Sequence, residues 1–103
     1  MSLSPITALK QWRAALDAID ATLLDTLRGR IECCIAIAEV KRAGGIPMMQ
    51  PGRIALVQER AARYADEHGL DREFLQSLYT LIIAETCRVE TLVIDGEATC
   101  ARS

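Results

Sequence analysis

The fold is decided by residues 5–42, which read PITALKQWRAALDAIDATLLDTLRGRIECCIAIAEVKR. Apolar residues recur through this stretch at steps of three and four, the spacing of one face of an α-helix, and Gly29 is its only internal helix breaker. Ser4 and Pro5 favour a helix start, because serine can cap free backbone amides and proline fits the first turn. The spacing therefore predicts one uninterrupted helix from about Pro5 to about Arg42.

Two shorter helices are predicted downstream. The loop at 44–52 contains two prolines and three glycines, which forbid a continuing helix. A second helix is expected at about 53–68, with Gly69 as its glycine C-cap, and a third from the N-cap Asp71 to just before Asp95. The apolar face of the second helix is predicted to consist of Ile54, Val57, Ala61 and Tyr64.

The length of the first helix predicts a dimer. At ~1.5 Å per residue it extends about 55 Å, well beyond the ~30 Å expected across a small domain. Two short helices of the same chain cannot cover its apolar stripe, and a second copy of the chain can. We therefore predict an all-α fold with three helices per chain, one very long, in an intertwined homodimer. Residues 1–103 form a single domain, of which residues 95–103 are expected to be a frayed tail.

Composition and charge exclude several classes of partner. The net charge of −2 lacks the basic excess of a chain that binds phosphate backbones, so no nucleic-acid partner is expected. No stretch resembles a signal peptide or a membrane span, so we expect no membrane partner and a cytoplasmic location.

Cysteine and histidine usage argues against a metal or a cofactor. The chain has a single histidine, His68, expected at a helix end, and no CxxC pair. A Ser-His-Asp triad, a phosphate loop and a dinucleotide-binding turn are all missing from the sequence. The cysteines, which we expect to be reduced and mostly buried, are Cys33, Cys34, Cys87 and Cys100.

A set of charged residues does not fit the helical pattern. Arg13, Arg30 and Lys41 share helix faces with apolar residues, Arg53 opens the second helix, and Glu90 lies on the apolar stripe of the third. A cation at such a position needs a buried carboxylate, access to water or an anionic ligand. Three guanidinium groups and one ammonium suit a small ligand with two carboxylates. Without a nucleophile or a cofactor, the site is expected to act by shape and electrostatics.

Five motifs give the chain a family resemblance. They are WRAALDAIDATLLDTLRGR at 12–30, EVK ending at Lys41, IPMMQPGR at 46–53, EHGLD at 67–71 and LIIAETCRVE at 81–90. With the spacing of the basic residues, they make the chain resemble the helical (type II) chorismate mutases from about Leu9 to Val93. Members of this family rearrange chorismate to prephenate, breaking a C–O bond as a C–C bond forms, in aromatic amino acid biosynthesis and the shikimate pathway.

The resemblance implies roles for individual residues. Arg30 and Arg13 of the partner subunit would bind the two carboxylates and hold a near-attack conformer. The catalytic residues Lys41 and Glu90 would donate hydrogen bonds to the ether oxygen, where negative charge develops.

The rest of the pocket follows from the same resemblance. Arg53 and Thr86 would complete substrate binding, together with Gln50 near the C4 group of the substrate.

The chain departs from the family at three positions. Many members have glutamine where Glu90 stands, and an ionised glutamate cannot donate, so Glu90 must be protonated to act. Lys41 opposes that protonation and burial favours it. Gln50 and Ile54 stand where the family often has acidic residues near the C4 hydroxyl. The segments MMQPGR and CRVE resemble the subgroup that rearranges 4-amino-4-deoxychorismate in secondary metabolism, so chorismate and its 4-amino analogue both stay open as substrates.

Two alternative functions remain open from the sequence. Isochorismate pyruvate-lyases resemble this fold and pocket, and salicylate as product would identify that activity. A helical dimer that binds a partner protein without catalysis is the second alternative.

Overall fold

The structure is a computed structural model that describes residues 4–48 and 51–96. In these two ranges the chain forms three α-helices and no β-strand. The helices are α1 (Pro5–Gly44), α2 (Pro51–His68) and α3 (Arg72–Ile94). The predicted all-α class, with one helix much longer than the other two, is confirmed.

Packing divides the chain into two compact units, Met1–Glu32 and Cys33–Ser103. The first unit holds the N-terminal part of α1. The second unit holds the C-terminal end of α1 together with α2 and α3, and it contains the buried side chains of the fold.

Helix α1 begins and ends with the capping geometry that its flanking residues favour. The Ser4 hydroxyl accepts the backbone N–H of Thr7 at 3.1 Å, as an N-cap serine does. At the other end Gly45 has a φ of +64°, and the N–H of Ile46 donates to the carbonyl of Lys41 at 2.9 Å. This is a Schellman motif, in which glycine takes the left-handed conformation at low energetic cost. The helix ends two residues beyond the predicted Arg42.

The first unit presents an apolar stripe to solvent. Its members follow one another at steps of three and four and are 48–75% exposed: Leu9, Trp12, Leu16, Ile19 and Leu23. The stripe that the sequence predicts is therefore present on α1 and exposed.

Helices α2 and α3 form a hairpin with the predicted caps. Gly69 has a φ of +68°, and Leu70 N–H donates to the carbonyl of Ala65 at 2.9 Å, which closes α2 with a second Schellman motif. The Asp71 carboxylate accepts the N–H of Phe74 at 2.8 Å and caps α3. Helix α2 begins at Pro51, two residues before the predicted start, because proline is tolerated in a first turn, where its missing N–H has no partner to lose.

Small side chains let the helices of the second unit approach closely. The buried residues of this unit include Ala38, Ala61, Ala62, Ala65, Val89 and Val93. Alanine has no side chain beyond Cβ, so helices packed through it can lie at short interaxial distance. A polar link joins α2 to α3, where Gln58 Nε2 donates to the Gln76 carbonyl at 3.1 Å and to Thr80 Oγ1 at 3.0 Å.

The prediction that Tyr64 belongs to the apolar face of α2 is wrong. Tyr64 is 54% exposed and stacks on His68 with ring centroids 3.9 Å apart, while Ala65 is buried in its place. Ala65 lies four residues after Ala61, so it continues the same face, and a tyrosine would not fit the close contact there.

Helix α3 ends where the sequence predicts. The N–H of Asp95 donates to the Thr91 carbonyl at 2.9 Å, and Gly96 has a φ of +77°. The remainder of the predicted tail, residues 97–103, lies outside the described residues. Helices long and apolar enough to cross a membrane do not occur within 4–48 or 51–96.

Candidate active site

A lysine and a glutamate that lie 49 residues apart in the chain meet inside the second unit. Lys41 lies in the last turn of α1 and Glu90 near the end of α3, and Lys41 Nζ donates to Glu90 Oε1 at 2.8 Å. Their side chains are only 17% and 8% exposed. Taking both charges out of water is costly, and the short bond between them offsets part of that cost. The carboxyl group predicted on the apolar stripe of the third helix is therefore buried, as are Val89 and Val93 on the same helix.

Lys41 has a second partner in the loop after α1. Its ammonium donates to the backbone carbonyl of Met48 at 2.9 Å. A lysine ammonium has three N–H donors, and among residues 4–48 and 51–96 two of them are engaged by Met48 and Glu90, which leaves one for a ligand. The arrangement thus presents a half-buried, oriented donor beside a carboxyl group that can donate only when protonated.

Thr86 lies one helical turn before Glu90 on α3. Its hydroxyl donates to the Ile82 carbonyl at 3.0 Å and lies 3.8 Å from the Cys34 sulfur of α1. Residues four apart lie on one helix face, so Thr86 and Glu90 point to the same side of α3. Of the predicted site residues, Lys41, Thr86 and Glu90 are thus brought to one contact between α1 and α3.

The predicted residues around the start of α2 are less enclosed. Arg53 is exposed in the first turn, where the helix dipole and free amides favour an anion. Ile54 follows it and is half-buried. Gln50 lies outside the described residues.

Arg13 and Arg30 both lie on α1 in the first unit. Arg13 is exposed and Arg30 is half-buried. Nothing in these positions tests their assignment to carboxylate binding, which stays a prediction.

The remaining charged residues lie at solvent-exposed positions or pair with a neighbour on the same helix. The expected solvated residues are all exposed: Asp17, Asp25, Arg28, Glu32, Glu39, Arg63 and Glu67. Arg88 meets Glu85 through two bonds of 2.7 and 2.8 Å, and this hydrogen bonding, with the charge of Glu85, raises the pKa of Arg88.

The expectation of mostly buried thiols is correct for one cysteine of the three described. Cys34 is buried, Cys87 is half-buried and Cys33 is exposed, and these three cysteines are not in disulfide bonds. Cys100 lies outside the described residues. His68 is the last residue of α2, as expected, with Nδ1 3.0 Å from the Tyr64 carbonyl.

Sequence reasoning missed the contacts that Met48 makes. Besides accepting from Lys41, Met48 places its sulfur 3.1 Å from the hydroxyl of Thr91 on α3. The only sequence signal was the pair Gly44-Gly45, which predicts that the chain turns back after α1 but not which residue it brings to Lys41.

Fold and contacts together define a class of protein: a small helical chain with an ammonium and a carboxyl group paired in its interior. Comparison with known families gives the same answer, since the family model "Chorismate mutase type II" matches residues 12–91. The chain belongs to this family, and it is an isomerase of the chorismate mutase type.

Two similar proteins are from Streptomyces, and both are named 4-amino-4-deoxychorismate mutase. The protein from Streptomyces venezuelae is 58% identical over 90 residues, which cover 87% of each chain. The protein from Streptomyces pristinaespiralis is 56% identical over 86 residues, 84% of this chain and 64% of that one. An isochorismate pyruvate lyase from Pseudomonas aeruginosa is 34% identical over 77 residues, 75% of each chain.

Proposed function

We propose that this protein rearranges 4-amino-4-deoxychorismate to the corresponding amino-prephenate analogue. The observation that carries the proposal is the 58% identity to a 4-amino-4-deoxychorismate mutase, spread over 87% of both chains. The internal geometry is compatible with it, because a concerted rearrangement needs positioning and charge stabilisation rather than a nucleophile. No atom enters or leaves in this step: the ether C–O bond breaks as the new C–C bond forms.

In the proposed mechanism the Lys41–Glu90 pair acts on the ether oxygen. Negative charge develops on this oxygen as the C–O bond breaks, and a donor already aimed at it stabilises the transition state more than the ground state. The third N–H of Lys41 is that donor. Glu90 supplies a second hydrogen bond when it carries a proton.

Arginines hold the two carboxylates of the substrate in this proposal. Arg30 and Arg13 of the partner subunit bind them through paired N–H donors, which fixes the compact conformer that reacts. Arg53, in the anion-favouring first turn of α2, and Thr86 complete the binding site.

The proposed assembly is an intertwined homodimer. It is supported by the exposed stripe of the first unit, because a soluble chain rarely leaves a long row of leucine, isoleucine and tryptophan facing water. A second copy offers the same stripe in a symmetric arrangement. We place the enzyme in the cytoplasm, whose reducing conditions suit Cys33, Cys34 and Cys87, which are not in disulfide bonds.

Preference for the amino substrate is assigned to positions 50 and 54. Gln50 and Ile54 replace the acidic residues that the family often places at the C4 hydroxyl, so the pocket lacks a carboxylate acceptor there. A site that lacks an acceptor for a substrate hydroxyl discriminates poorly in favour of that hydroxyl.

The test compares kcat/KM for 4-amino-4-deoxychorismate and chorismate on the same preparation. We expect the amino substrate to have the higher kcat/KM, as the 58% identity to a 4-amino-4-deoxychorismate mutase indicates. Ile54→Glu, which places a carboxylate at the family position, should shift the ratio towards chorismate. Lys41→Ala serves as the control that loses turnover of both substrates. A ratio that strongly favours chorismate in the wild type would reject the substrate assignment.

The lyase is the second candidate, because one relative of that name is 34% identical over 75% of the chain. It is weaker than the mutase assignment, since the two relatives with higher identity are both named mutases. Release of salicylate from isochorismate at a rate above that of either rearrangement would favour the lyase.

A further inference from the structure

Met48 lies between the two helices that carry the Lys41–Glu90 pair. Its carbonyl accepts from Lys41 of α1 at 2.9 Å, and its sulfur lies 3.1 Å from the hydroxyl of Thr91, the residue after Glu90 on α3. A single loop residue therefore connects the catalytic ammonium to α3 by a route separate from the Lys41–Glu90 bond.

The Met48 carbonyl determines where the free N–H of Lys41 points. The three donors of an ammonium are arranged tetrahedrally, so fixing two of them fixes the third. Without the carbonyl, the ammonium would be held by Glu90 alone and could rotate about that bond on its flexible four-carbon stem. Misdirection of a catalytic donor by a fraction of an ångström is enough to slow a reaction that depends on positioning.

The loop bonds to both the side chain and the backbone of Lys41. Besides the side-chain bond to Met48, the Lys41 carbonyl accepts the N–H of Ile46 at 2.9 Å in the Schellman motif. Pro47 follows and has no N–H to donate. The side chain of Met48 thus gives this part of the loop a contact with α3.

Thr91 is itself held in one orientation. Its hydroxyl lies 2.7 Å from the carbonyl of Cys87, one turn earlier on α3. A hydroxyl has a single hydrogen, so Thr91 donates to either the Cys87 carbonyl or the Met48 sulfur, and both acceptors lie within reach of it.

We propose that Thr91 is a positioning residue for the rearrangement, acting through Met48 to fix the direction of the Lys41 ammonium. The inference rests on the proposed function and adds to it two residues, Met48 and Thr91, that do not themselves reach the reacting atoms.

The first test replaces the hydroxyl and nothing else. Thr91→Val keeps the branched shape and should lower kcat about tenfold while KM changes less than about twofold, because the substrate carboxylates are bound elsewhere. Thr91→Ser retains the hydroxyl and should keep kcat near the wild-type value. Thr80→Val is the matched control: Thr80 also lies on α3 and donates to the carbonyl four residues back, at 3.0 Å, but its other partner is Gln58 of α2 rather than Met48, so kcat should stay unchanged.

The second test asks whether Thr91 and Met48 act through one contact. Met48→Ala and Thr91→Val should each lower kcat, and the double variant should be no slower than the slower single one, since residues that share one contact are not additive. A structural role elsewhere in α3 would multiply the two effects. Urea unfolding of each variant verifies that it is folded under the assay conditions.

Two results overturn the inference while the proposed function stands. One is an active wild type with Thr91→Val equally active, and the other is a double variant in which the two losses multiply. If the wild type turns over neither 4-amino-4-deoxychorismate nor chorismate, the proposed function fails and takes this inference with it.

Discussion

Glu90 is the residue at which this chain differs most consequentially from the glutamine that many members of its family carry. In the structure it accepts from Lys41, with Oε1 2.8 Å from the ammonium. A carboxylate can only accept, whereas a carboxylic acid has one O–H to donate. The proposed role of Glu90 at the ether oxygen therefore requires its protonated form.

This requirement predicts the pH dependence of the reaction. The reaction should slow as pH rises, because a carboxylate cannot donate a hydrogen bond. Glu90→Gln donates at every pH, so its kcat should stay flat over the range in which the wild type declines. The measurement is kcat against pH for both proteins.

The matched control is Glu59→Gln, an exposed glutamate of α2 paired with Arg63 at 2.7 Å. It should retain the wild-type profile, because an exposed pair of this kind contributes little. A Glu90→Gln variant with the same falling profile as the wild type would show that another group sets the dependence.

At the scale of the helices, glycines in the left-handed conformation decide where the elements stop. Gly45 and Gly69 have φ values of +64° and +68°, and each closes its helix with a Schellman motif. The turn at Gly45 also starts the loop that returns Met48 to Lys41. The same turn therefore ends α1 and brings Met48 into contact with Lys41.

Replacing Gly69 measures the energy of this conformation. A Cβ added at Gly69 would meet no atom within 4 Å, so Gly69→Ala introduces backbone strain without a clash. We expect the free energy of unfolding, measured by urea denaturation, to fall by about 1–2 kcal/mol.

The control substitution is Gly52→Ala. Gly52 lies in the first turn of α2, and a Cβ there would also meet no atom within 4 Å. Alanine is the better helix former, so this variant should be as stable as the wild type or slightly more stable. Equal stability of the Gly69→Ala and Gly52→Ala variants would contradict the assignment of strain to Gly69.

At the scale of the whole molecule, the exposed stripe of α1 predicts the assembly. Ile19 lies in this stripe and is 63% exposed in the single chain. We expect sedimentation equilibrium at micromolar concentration to give the mass of a dimer. Ile19→Glu should shift the equilibrium to monomer, because it would bury an unpaired charge in the proposed dimer interface. Loss of turnover in this monomer would support the contribution of Arg13 by the partner subunit.

Arg28→Glu is the control for that experiment. It also introduces a glutamate into α1, but at a solvated position whose side chain is 71% exposed and pairs with Asp25 at 3.6 Å. It should remain dimeric. A wild type that sediments as a monomer at micromolar concentration would remove the homodimer from the proposal.

The sequence by itself determined the features that depend on residues close to one another in the chain. The three helices, the caps at Ser4, Gly69 and Asp71, and the misplaced charges at Lys41 and Glu90 all follow from residue types at spacings of one to four or from helical phase. Local backbone chemistry dictates these features, so they could be predicted before any packing was known.

Only the tertiary structure decided which residues from distant parts of the chain touch. The choice of Ala65 over Tyr64 for the interior of α2 depends on how close the neighbouring helix lies. The Met48 carbonyl on Lys41 and the Met48 sulfur on Thr91 depend on the path of a loop whose turn is predictable but whose destination is not. These contacts join residues 7 and 43 positions apart, and they are set by how the loop and the helices pack, about which helical periodicity carries no information.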